Sequence, residues 1–192
     1  MANTRFIIKK YLRELIKRRE TLAGDNIFFN RPVNYDLSVK DAEVRIMSLN
    51  SRSEMRAKAP RIYKEMYYAS VEIAYVPDTD DYEGSEEDFE EMIAEIQDAI
   101  ETHQHLDNPE ILTAIGNPDF CVEDTWIDSI RYRTEPDGAR PIYLATLDYE
   151  VCYNREAGGN VDDLEDLEEL ASEMTPVPAT AGTDPVESVV EF

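Results

Sequence analysis

The stretch YYASVEIAYVPDTDDYEGSEEDFEEMIAEIQDAIETHQHL, residues 67–106, decides the fold. It opens with clean alternation. Tyr67, Ala69, Val71, Ile73 and Tyr75 fall on one face, and Tyr68, Ser70, Glu72, Ala74 and Val76 on the other. A period of two marks a half-buried strand. Pro77 ends it, because proline has no N–H to give a ladder. Residues 78–84 read as a polar turn, and Ser85 reads as the N-cap of a helix, with Asp88 as its capping-box partner. Phe89, Met92, Ile93, Ile96, Ala99 and Ile100 then recur at helical spacing on an otherwise acidic rod. Such a helix lays its stripe on the apolar face of the strand, and each large side chain buried there contributes about 1.5–3 kcal/mol.

Toward the amino terminus, Asn3 or Thr4 can cap a first helix. Its stripe is Ile8, Tyr11, Leu12, Leu15, Ile16 and Leu22, and Gly24 is placed to end it. Lys9, Lys10, Arg13, Lys17 and Arg18 form the other face. A basic amphipathic helix suits a membrane surface or nucleic acid, but a core-packed helix with a solvated basic face explains the pattern more simply. Ile27–Phe29 reads as a short strand before a turn at Asn30-Arg31-Pro32, and Ala42–Met47 as another strand. Between that strand and the central one lies Ser48–Pro60. It is too polar for a core and is expected to be an extended loop that grips a partner through its arginines.

Toward the carboxyl terminus, Asp107–Thr125 is irregular. Trp126–Arg133 and Pro141–Tyr153 are rich in β-formers and flank turn residues at 135–140, so they read as a hairpin. One face of the second run carries Tyr143, Ala145, Leu147, Tyr149, Val151 and Tyr153. The other carries Thr146, Asp148 and Glu150 and is expected to be wet. From Asn154 the composition changes to Gly, acids with leucines at 164, 167 and 170, and then a Pro/Ala/Thr/Gly run. The expected organisation is a domain over 1–155 and an acidic tail over 156–192. The domain is α+β: a small, mostly antiparallel or mixed sheet of about four to five strands with two main helices on one face.

Charge is laid out unevenly. Residues 1–66 hold fifteen of the nineteen Lys and Arg and eight acids, whereas residues 67–192 hold four basic residues and thirty-four acids, within a net charge of −23. A solvated acidic surface that keeps the protein soluble is the plain explanation. The sharper one is a two-signed molecule whose copies meet basic part to acidic part. An acidic surface disfavours DNA binding and suits a wall past which DNA slides. No apolar run is long enough to span a membrane, and the opening residues lack a secretory signal. Cys121 and Cys152 make no disulfide framework and read as reduced thiols.

Candidate chemistry is sparse. An EF-hand counted from Asp78 would need glycine and glutamate where Glu83 and Phe89 stand. His103 and His105 do not face the same way on a helix. No phosphate loop, nucleophile elbow or Cys/His spacing is present, and no carboxylate pair singles itself out. Neither a metal, nor a cofactor, nor catalysis is expected.

The order of elements resembles the tail terminator (tail completion) proteins of long-tailed phages and viruses. The residues that carry it are Tyr67–Val76, Asp88–Leu106 with its Glu-Glu-x-x-Glu-Glu-Met-Ile-Ala-Glu-Ile spacing, and Ile127–Arg133 with Ile142–Tyr153. The resemblance implies assembly in the host cytoplasm into a ring, a hexamer in that family, which stops tail-tube growth and joins the tail to the neck in the virion. The implied partners are copies of the chain, the tail-tube protein and a head-completion protein, with DNA passing unbound through the channel. The family has no catalytic residues to carry over. Arg52, Arg56, Lys58, Arg61 and the acidic turn Asp78, Asp80 and Asp81 are the expected subunit contacts. Two alternatives remain: another neck, head-closure or tube-like subunit, or an acidic regulatory binding protein of a different class.

Overall fold

Alternation at 67–75 builds the middle of a five-stranded sheet. In the computed structural model, which describes residues 3–30, 41–58, 61–78, 80–137 and 140–157, the elements run α1 (Thr4–Lys17), β1 (Ile27–Phe29), β2 (Ala42–Lys58), β3 (Arg61–Tyr75), α2 (Tyr82–Thr102), α3 (Pro109–Ala114), β4 (Asp124–Asp137) and β5 (Arg140–Ala157). The strand order is β1-β2-β3-β5-β4. Only β1 runs parallel to its neighbour, and all the other pairings are antiparallel, so the sheet is mixed and the fold is α+β.

The core follows the patterns that produce it. Ala69, Val71, Ile73 and Tyr75 of β3 and Leu147, Tyr149 and Val151 of β5 face the buried stripes of both long helices: Ile8, Tyr11, Leu12, Leu15 and Ile16 of α1, and Phe89, Met92, Ile93, Ile96 and Ile100 of α2. Both helices therefore cover one face of the sheet. The other face is not uniformly wet. At the end nearest the start of α2 it buries Ala74, Val76, Ile142 and Leu144 as a second small cluster.

Several boundaries differ from the sequence expectation: β3 begins at Arg61 and not at Tyr67, β4 runs on to Asp137 and β5 starts at Arg140, within the expected turn at 135–140, and β5 continues past Tyr153 to Ala157. The segment Ser48–Lys58 is not a loop. It continues β2, paired with β3 out to Lys58↔Arg61, through register shifts at Ser48/Asn50 and Met55/Ala57. Strand β3 supplies its backbone partners along one edge, so it needs no apolar alternation of its own. Helix α1 ends at Lys17, and the hydrogen-bonded turns that follow carry Gly24 at φ +52° and leave Leu22 exposed. Helix α2 begins at Tyr82, and its N-cap is Asp81 in place of Ser85. The Asp81 carboxylate accepts from the Gly84 N–H at 2.9 Å, and a Cβ on Gly84 would stand 2.4 Å from that carboxylate. Ser85 is buried, and its hydroxyl accepts from the Asp78 N–H at 2.8 Å. Helix α3 is a further turn of helix within the irregular segment, with Asn108 as its cap. Of the expected acidic tail over 156–192, residues 156 and 157 belong to β5 and the rest lies outside the described residues, as do Arg31 and Pro32 of the first expected turn, Pro60 of the expected loop, Thr79, and Gly138 and Ala139 of the second turn.

Candidate functional site

The seven expected contact residues do not gather into one site. Arg52, Arg56, Lys58 and Arg61 lie on β2 and β3 at one end of the sheet, and Asp78, Asp80 and Asp81 precede α2 at the other. From Met66, opposite Arg52, to Tyr75 the strand runs about 30 Å at ~3.3 Å per residue. The cationic end is an arm of three strands, formed by the distal parts of β2, β3 and β5. Arg52, Ser53, Glu54, Met55 and Arg56 are exposed at consecutive positions, so neither face of β2 is covered there. Strand β1 pairs with β2 only at Val44–Ile46, which leaves the outer edge of the arm open among the described residues. The two register irregularities, with Arg52 and Arg56 between and beside them, are the devices by which an exposed edge avoids indiscriminate pairing.

Two carboxylates hold the base of this arm. Glu65 lies on its helix-facing side, with only 3% of its side chain exposed. It accepts from Ser53 Oγ at 2.6 Å and Arg155 Nε at 2.9 Å, and Arg5 of α1 stands 3.9 Å away. Burial alone would raise the Glu65 pKa; the two hydrogen bonds and the two guanidinium charges outweigh it and lower the pKa. On the opposite side, Glu123 accepts from Arg56 Nη1 at 2.6 Å and Asn154 Nδ2 at 2.5 Å, and from the Cys152 thiol at 3.2 Å. Arg56 is thus engaged within the chain. Cys152 lacks the environment of a nucleophile: burial and the Glu123 carboxylate push its thiol pKa up, whereas a reactive thiolate needs it pushed down.

The charge imbalance along the sequence is partly cancelled in space. Arg18 pairs with Glu110 of α3 at 2.7 Å and Arg19 with Asp98 of α2 at 2.9 Å; within the acidic part of the chain, Arg131 pairs with Asp148 at 2.8 Å. The basic face of α1 is therefore committed in part to its helical neighbours, and Lys9 lies over the Phe6 and Phe29 rings. Among arginines with described side chains, Arg52 is the one left without a carboxylate, hydroxyl or ring partner.

The acidic end contains a groove of about 450 Å³ between α2 and β4. Phe89, Tyr132 and Tyr143 line it, Glu86 and Glu90 stand on its helical rim, and Arg133 stands on the strand side. The Phe89 and Tyr143 rings are 5.7 Å apart, and Tyr132 is half exposed. Burial and then the Glu90 charge raise the Tyr132 pKa, and burial and then Glu86 raise that of Tyr143. Arg133 is paired with Glu135 at 2.9 Å. Periodicity assigned Phe89 and Tyr143 to the core and carried no sign that β4 would bring Tyr132 beside them. Among the described residues, no group of His, Cys, Asp and Glu is arranged to hold a metal, and no helix is long and apolar enough to cross a membrane. No protein-family model matches the chain, and no curated protein sequence is significantly similar to it.

Proposed function

We propose that this protein is a virion structural subunit of the head–tail junction, a tail terminator that associates with copies of itself into a ring, ends tail-tube growth and joins the tail to the neck. The observation that carries the reading is the polarity of the sheet. A cationic strand arm lies at one end and an acidic helix start at the other, so each copy offers two unlike, complementary surfaces. Unlike surfaces make head-to-tail contacts, and such contacts close into rings when the rotation allows. The α+β fold with both long helices on one face of the sheet agrees with what the resemblance implies. The surplus of carboxylates suits a channel wall from which DNA is repelled.

The test is the mass and shape of the purified full chain, by native mass spectrometry and electron microscopy, followed by its addition to growing tail tubes. The expected results are closed rings and shortened, capped tubes. A protein that stays monomeric up to its solubility limit and leaves tube length unchanged overturns the reading.

A further inference from the structure

We infer that the groove between α2 and β4 is the seat for Arg52 of a second copy of this chain, so that the arm of one subunit docks into the acidic, aromatic end of the next. The inference rests on the self-assembly reading above and names the contact that drives it.

The groove has the chemistry of a guanidinium site. The exposed ring of Tyr132 and the partly buried ring of Tyr143 supply aromatic surface over the buried Phe89, and Glu86 and Glu90 supply carboxylates at the rim. A planar cation stacks on such rings while its N–H fork bonds a carboxylate, a combination that suits arginine better than lysine. Glu86 and Glu90 are exposed and have no ion-pair or hydrogen-bond partner among the described residues, and the neighbouring Arg133 is occupied by Glu135. With the Arg133 of its strand side paired to Glu135, the groove presents the two unpaired carboxylates beside aromatic surface.

The occupant follows from what the described side chains leave over. Every other arginine with a described side chain is engaged within its own molecule, while Arg52 is exposed on the arm with no partner among the described residues. It cannot fill the groove of its own chain. Arg52 is level with Met66 and Cys152, whereas the groove is level with Leu144, about 26 Å away along β5 at ~3.3 Å per residue. A second copy brings the two together. Because arm and groove are different surfaces, one contact leaves a free arm and a free groove, and the association propagates until it closes.

The experiment is sedimentation equilibrium of the full chain and of three variants: Arg52→Glu, Glu90→Arg and the double exchange. Circular dichroism and thermal melting of each confirm that it folds. Each single exchange is expected to weaken self-association at least about tenfold, as truncation of a central interface arginine does, and the double exchange to recover a large part of that loss. Tyr132→Ala, which leaves the charges in place, is expected to weaken association as well. If the wild-type chain assembles and Arg52→Glu assembles equally well, this contact is wrong while the ring reading stands. If both single exchanges weaken assembly and the double exchange does not recover it, the two residues do not meet and the inference is overturned. If the wild-type chain never assembles, both readings fall together.

Discussion

Glu65 shows what one buried carboxylate does for the arm. Ser53, Arg155 and Arg5 converge on it from β2, β5 and α1, so three elements are tied at one side chain. Glu65→Gln keeps the shape and removes the charge. Hydrogen bonds to a charged group contribute about 1.5–3 kcal/mol each, and the half-exposed arginines discount that, so a loss of about 1–3 kcal/mol is expected in urea unfolding at neutral pH. The pH dependence has a definite sign. The folded-state pKa is lowered, so the contribution is present above the ordinary glutamate range and is lost as pH falls through the folded value. The variant should then converge on the wild type in acid, and a gap that stays constant with pH would refute the charge role. Arg52 offers the contrast. It is exposed and has no partner among the described residues, so Arg52→Ala should shift folding stability by no more than about 0.5 kcal/mol. Any larger effect it has on assembly is therefore an interface effect.

At the scale of elements, the acidic turn has a local duty that precedes any contact with a neighbour. Asp81 caps α2, and the negative charges near the helix start complement its dipole. Asp81→Ala should cost about 1 kcal/mol of folding stability, measured by thermal or chemical melting. A loss of assembly larger than that cost accounts for would identify a second role between subunits. Helix α3 ends in a Schellman motif: the Gly116 N–H donates to the Thr113 carbonyl at 3.1 Å and the Asn117 N–H to the Leu112 carbonyl at 2.9 Å, with Gly116 at φ +73°. A methyl group at 116 meets nothing within 4 Å, so the cost of Gly116→Ala is purely the left-handed backbone, about 1–2 kcal/mol. Equal stability of that variant would show that this end of α3 does not hold the conformation described.

Over the whole molecule, the buried core runs from Ile8 to Tyr153 and β5 keeps its pairing with β3 to Ala157. A chain truncated after Ala157 keeps this core and every described strand pairing, and should therefore unfold in one cooperative transition. The same truncation separates two functions: a ring survives it, whereas a regulator that acts through its acidic tail loses activity. Assembly driven by unlike charges also depends on salt. Raising ionic strength from about 0.1 M to 1 M shortens the screening length from about 10 to 3 Å, so the proposed ring should dissociate more readily in concentrated salt. Assembly strengthened by salt would point to an apolar contact instead.

Period two at 67–75, period 3.6 at 89–100 and the paired runs flanking residues 135–140 were legible because each segment buries one face, and burial writes its spacing into the chain. The amino-acid sequence by itself therefore determined the α+β class, both long helices, the central strand and the closing hairpin. The distal half of β2 was illegible for the same reason. Both of its faces meet water, so its extended form is imposed by hydrogen bonds from β3 and leaves no apolar record. Composition also fixed the surplus of acid. Only the tertiary structure decided how that charge is spent: which arginines are consumed inside the molecule, that Arg52 is left over, and that Tyr132 comes to stand beside Phe89 and Tyr143. Those outcomes depend on pairs of residues far apart in the chain, and such meetings are settled by strand register and helix packing, which no local pattern encodes.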